Sequence, residues 1–151
     1  MAAIVASIVS AAGVALSLIF VAWQAREVAR QRRISNDIAG TSELRESMVR
    51  LHHVLTIVLE RPELRPYIYE GKACPERGRR RAQVLILAEM LGDVLDVGLN
   101  TTKIITATNS YEDWEGFTYY VLERSPALRQ MVEIYGSWWP YLFRLYNAKG
   151  F

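Results

Sequence analysis

The sequence predicts an all-α protein, with one N-terminal transmembrane helix followed by an extramembrane bundle of about four helices. Residues 2–23 are apolar, small or hydroxylic, and the first charged side chain is that of Arg26. Downstream, apolar residues recur at spacings of three and four in three separate stretches, the signature of amphipathic helices. No alternating strand pair, internal repeat or low-complexity linker interrupts them.

The first element is the apolar run. A helix of this length, rising about 1.5 Å per residue, spans a hydrocarbon core of about 30 Å. A cleaved secretory signal would need a basic leading region, a shorter apolar stretch and a small-x-small cleavage pattern. Residues 22–25, Ala-Trp-Gln-Ala, do not provide that pattern, so the run reads as a retained anchor. Arg26, Arg30, Arg32 and Arg33 follow the run and no basic side chain precedes it. Because Arg and Lys accumulate on the cytoplasmic side, the expected topology has the N-terminus outside and the remainder in the cytoplasm. The expected location is the inner or plasma membrane, crossed once, with Trp23 at the cytoplasmic headgroup level.

Within the run, Ala2, Ala6, Ser10, Gly13 and Ser17 recur at spacings of four and three. Small residues on one helical stripe let a second backbone approach closely, which makes this the expected packing face in the membrane. The run contains no ionisable side chain, and so lacks the groups that form proton relays, ion pathways or cofactor ligands within a bilayer.

The chain then divides into a transmembrane anchor at 1–25, a juxtamembrane helical stalk at 26–40 and a cytoplasmic helical domain at 41–151. Good helix formers without Pro or Gly continue the helix through residues 24–38, and Gly40 is the first expected breaker. Residues 42–60 carry Leu44, Met48, Leu51, Leu55 and Val58 or Leu59 on one expected apolar face. Pro62 and Pro66 end that helix, leaving a connection over 61–78 with one helical turn near 63–69. A second helix runs from Arg79 to about Gly98, with Val84, Leu87 or Ala88, Leu91, Val94 or Leu95, and Leu99 facing a partner.

Residues 100–109 read as a helical extension or a loop, since their Thr and Ile content favours strand while their surroundings are helical. Residues 111–123 form a further helix. Ser125-Pro126 supplies an N-cap followed by proline at the first helical position. Leu128, Met131 or Val132, Tyr135, Trp138 or Trp139, Leu142 and Leu145 keep helical phase from there, with Gly136 and Pro140 bending or interrupting the helix.

The exit Gln24-Ala25-Arg26, the His52-x-x-Leu55 element, the segment from Pro62-Glu63-Leu64 to Gly71-Lys72, and the later Trp114, Ser125-Pro126-Ala127-Leu128-Arg129 and Trp138-Trp139-Pro140 resemble an uncharacterised bacterial family of single-pass, N-terminally anchored helical proteins, a domain of unknown function. The resemblance implies a membrane-anchored helical protein and supplies no activity or catalytic residue.

The residues offer little chemistry. The formal charge of +2 is too small to argue for nucleic acid, and the single Cys74 excludes an intrachain disulfide. His52 and His53 point about 100° apart on a helix, unlike a one-turn metal-binding pair. Glu89, Asp93 and Asp96 share a helix face, but the Glu-x-x-His units of a di-iron bundle are missing, so the stripe reads as solvated or as a docking surface. Cys74 reads as an unreactive loop thiol, and no phosphate-binding loop, nucleophile elbow or zinc motif is present.

The candidate surface contacts, to lipid or to a partner, are Trp23, Arg26, Arg30, Arg32, Arg33, Arg79, Arg80, Arg81, Trp138 and Trp139. No catalytic, cofactor-binding or metal residue is assigned, and no small-molecule substrate or cofactor is expected. The expected role is a non-catalytic accessory subunit of a larger membrane complex, with integral membrane proteins and the lipid bilayer as partners. The alternative is a membrane-tethered adapter that recruits a soluble cytoplasmic protein.

Overall fold

The structure, a computed structural model, describes residues 2–104 and 110–151, with the side chains of residues 2–12, 15 and 37 set aside. The regular secondary structure of the described residues is all helical, in six α-helices and two short 3₁₀ turns: α1 (Ala2–Glu60), a turn at Pro62–Leu64, α2 (Arg65–Tyr69), α3 (Arg79–Ile104), α4 (Ser110–Arg124), α5 (Pro126–Tyr135), a turn at Gly136–Trp138, and α6 (Pro140–Lys149). The chain divides into two units, Met1–Ala39 and Gly40–Phe151.

In the first unit, every described side chain before Arg26 is exposed. Among the described residues, no helix is long and apolar enough to cross a membrane. Residues 13–23 alone rise about 16 Å, roughly half of a hydrocarbon core. The other half of the expected span at 1–25 lies outside the described side chains.

The helix does not break at Gly40, as the sequence predicts, but continues to Glu60. A single glycine costs a helix only about 1 kcal/mol relative to alanine. A helix-ending glycine adopts a left-handed φ, and the glycines with positive φ are Gly71, Gly78 and Gly150.

The second unit is built around α3, which packs against α4, α5 and α6. Its expected face is buried at Val84, Leu87, Ala88, Leu91, Val94, Leu95 and Leu99, and burial extends to Gly92, Gly98, Thr101 and Thr102. Three neighbours around one helix require more than a single apolar stripe. The helix also takes in residues 100–104 of the ambiguous segment, and residues 105–109 lie outside the described residues.

At the C-terminal part of α1 the periodicity holds but the phase differs. Ser47, Leu51, Val54 and Val58 are buried, whereas Met48, Leu55 and Leu59 are exposed. Burying Ser47 leaves no orphaned hydroxyl, because it donates to the Glu43 carbonyl at 3.0 Å.

The expected long C-terminal helix is two helices. Pro140 lacks the N–H needed to continue the helical ladder, and a 3₁₀ turn ends in front of it. Gly136 is required in this corner, since the Phe143 ring occupies the space that a β-carbon would need. At the start of α5, Ser125 caps as its sequence context predicts, its Oγ accepting the Leu128 N–H at 3.2 Å with Pro126 next in line.

Candidate functional site

The densest polar geometry lies where α3 meets α6. Asp93 Oδ1 accepts the indole N–H of Trp139 at 2.7 Å, and Asp96 Oδ1 accepts the backbone N–H groups of Tyr141 and Leu142 at 2.7 and 2.9 Å. Asp93 is itself exposed and Asp96 half-buried, so the face stays in reach of solvent while its two aspartates also fasten α6 to α3. Spacing along α3 shows that they share a face, but not which helix meets it. Burial raises the Asp96 carboxyl above its ordinary pKa, against the lowering effects of the Leu142 and Tyr141 N–H groups and of Arg144.

Two glycines on α3 seat two tryptophans. A β-carbon at Gly92 would lie 2.9 Å from the Trp139 ring, and one at Gly98 would lie 2.6 Å from the Trp114 ring. Neither glycine stands out in the sequence, because its role depends on an aromatic side chain from a distant helix.

These contacts separate the two adjacent tryptophans. Trp139, expected at a lipid or partner surface, is instead a core residue at 2% exposure. Its neighbour Trp138 is 57% exposed and stacks on Tyr135 with ring centroids 4.5 Å apart, beside exposed Ile134. Ile134, Tyr135 and Trp138 thus form one exposed apolar patch of the second unit, with the Trp138 ring its most exposed aromatic group.

No protein-family model, no curated protein and no solved structure matches this chain. Its candidate sites therefore rest on the placement of its own residues.

The two basic clusters have different surroundings. Arg80 Nη1 lies 3.1 Å from Glu63 Oε1, and Arg81 Nη1 donates to the Pro75 carbonyl at 2.9 Å, so the first ties the start of α3 to the turn at Pro62–Leu64 and the second ties it to the loop before α3. Those ties offset the unfavourable meeting of cations with a helix N-terminus. Arg79 is left exposed. In the first unit, Trp23, Arg26, Arg30, Arg32 and Arg33 are all exposed, and none of these arginines has a carboxylate within ion-pair distance among the described residues. In the expected membrane stripe, Gly13 and Ser17 are exposed and the Ser17 hydroxyl donates to the Gly13 carbonyl at 2.8 Å. Ala2, Ala6 and Ser10 lie outside the described side chains.

The remaining candidates stay apart. His52 and His53 are both exposed, and no group of three or more potential metal ligands comes together among the described residues. Burial pushes the Cys74 thiol up despite the opposing influence of Arg81, which keeps it in its less nucleophilic protonated form. An open apolar depression of about 300 Å³ is lined by Met48, Leu51, Asp113, Trp114 and Phe117. A second depression, of about 250 Å³, lies among Leu99, Lys103, Tyr111, Glu115, Tyr141 and Arg144.

Proposed function

We propose that the chain is a non-catalytic accessory subunit of a larger membrane protein complex. A single transmembrane helix at residues 1–25 holds it in the inner or plasma membrane, with the N-terminus outside and residues 41–151 forming a cytoplasmic docking domain. One observation carries this reading: Val14, Leu16, Leu18, Ile19, Phe20 and Val21 are each more than half exposed on α1. Transferring six such side chains from water into an apolar phase is favourable by on the order of 10 kcal/mol. A bilayer supplies that phase, and the arginines after the run favour the cytoplasmic side for the remainder.

The alternative is a membrane-tethered adapter for a soluble cytoplasmic protein. It is favoured by the exposed Tyr135–Trp138 stack, since aromatic side chains concentrate at protein interfaces.

Mild detergent extraction followed by native mass spectrometry tests the first reading. The expected result is a fixed-stoichiometry assembly with integral membrane subunits, and a monodisperse monomer would overturn it. Affinity capture separates the alternatives: soluble proteins lost on Trp138→Ala favour the adapter, and integral subunits retained through the anchor favour the accessory subunit.

A further inference from the structure

Trp23, Arg26, Arg30 and Arg33 follow one another at spacings of three, four and three, and fall within about 80° of arc on α1. They line one shared concavity together with Glu27 and Ala29. Arg32 lies on the opposite side of the helix. The stripe carries three guanidinium groups against one carboxylate, and no ion pair neutralises any of them among the described residues. At its N-terminal edge Trp23 is 61% exposed and stacks on Phe20, with ring centroids 6.1 Å apart. Exposed apolar side chains begin immediately beyond.

We infer that this stripe binds the headgroups of anionic phospholipids. The inference rests on the membrane anchor proposed above and deepens it, by naming the lipid class that the exit from the membrane selects. An exposed apolar run meeting an indole and then uncompensated cations reproduces the order of acyl chain, interface and phosphate in one leaflet. A soluble acidic partner would complement the arginines but would leave the adjoining Trp23 and Phe20 surface unmatched.

The geometry also grades the contributions. Arg26, Arg30 and Arg33 lie about 4.5, 10.5 and 15 Å beyond Trp23 along the helix axis. Helical side chains tilt toward the N-terminus, so each long arm leans back toward the interface. Arg26 and Arg30 reach phosphate directly, and Arg33 acts through a field that fades over about 10 Å at 0.1 M salt.

The test uses the full chain reconstituted in phosphatidylcholine vesicles containing a minor fraction of lipid brominated on its acyl chains, either phosphatidylglycerol or phosphatidylcholine. Bromine quenches tryptophan on contact, and a Trp23→Phe variant isolates the Trp23 signal from the other tryptophans. Brominated phosphatidylglycerol is expected to quench Trp23 about twofold more than brominated phosphatidylcholine at equal mole fraction. The ratio falls to about one in Arg26→Gln/Arg30→Gln, falls less in Arg33→Gln, and is unchanged in Arg32→Gln and Arg79→Gln. A ratio of one in the unaltered chain, with both lipids quenching, overturns headgroup selection and leaves the anchor intact. Quenching by neither lipid overturns the anchor and the headgroup site together. An equal loss in Arg32→Gln overturns the stripe, because the effect would then be one of total charge.

Discussion

Asp96 on α3 performs the N-terminal capping of α6, its Oδ1 accepting the backbone N–H groups of Tyr141 and Leu142. Trp139, at the N-cap position, has no capping side chain, and Pro140 after it carries no N–H. The first two donors of the helix are thus satisfied from another element. Asp96→Ala strands both, and a loss of about 1–3 kcal/mol in urea unfolding is expected. Asp96→Asn keeps an acceptor oxygen in place and is expected to cost less.

The same pair of variants gives a pH signature. Burial is the largest influence on Asp96, raising its carboxyl above 3.8 in the folded chain. The folded state then holds the proton more firmly than the unfolded one. The resulting stabilisation is fully present below the unfolded value and is lost as pH rises through the raised folded value. The difference in urea midpoint between the unaltered chain and Asp96→Asn is therefore expected to change across the acidic range, moving in favour of Asn as pH rises. A difference independent of pH would contradict the assignment.

Gly98→Ala and Gly92→Ala are both expected to destabilise. The added carbon meets the Trp114 or Trp139 ring, and overpacking of this kind costs about 1–3 kcal/mol, against a gain of about 1 kcal/mol in helix propensity. Gly116, in α4, has nothing within 4 Å of the same position. Gly116→Ala is accordingly expected to raise the melting temperature, which provides an internal control.

The adjacent tryptophans are expected to respond unequally. Trp139→Ala empties a core site and removes the partner of Asp93, a loss of about 3–5 kcal/mol. Trp138→Ala removes an exposed ring and is expected to leave the chemical-denaturation midpoint nearly unchanged while weakening capture of any partner that docks on the Tyr135 stack.

The all-helical class, the face of α3 and the Ser125-Pro126 start were legible because period and capping act over a few residues. The phase at the end of α1 was not. Met48 is a stronger apolar signal than Ser47, yet Ser47 is buried because its hydroxyl is satisfied within its own helix and its small volume fits the seam. Gly40 misled for the opposite reason, as a residue that permits a break without compelling one. The clasp between α3 and α6 was hidden because Asp93 lies 46 positions from Trp139, and no local pattern encodes which helices meet. The distinction between Arg80 or Arg81 and the exit arginines likewise depends on where Glu63 and the Pro75 carbonyl come to lie.

Ser125 does more than begin α5. Its hydroxyl also donates to the Tyr67 carbonyl at 3.0 Å, and it is fully buried. Ser125→Ala removes the cap and this tie together, and a loss of about 1–2 kcal/mol in thermal unfolding is expected.

Around that serine, Gly71 N–H donates to the Arg124 carbonyl at 2.8 Å, and Arg129 Nη1 donates to the Leu122 and Glu123 carbonyls at 2.6 and 2.8 Å. Short α2, the end of α4 and the beginning of α5 consequently share one set of fastenings. None of the three can fray without exposing polar groups of the other two, so they are joined in a single cooperative opening unit. In native-state hydrogen exchange, the amides of Gly71 and Leu128 should therefore become accessible together and with the same denaturant dependence, although 57 residues of chain separate them.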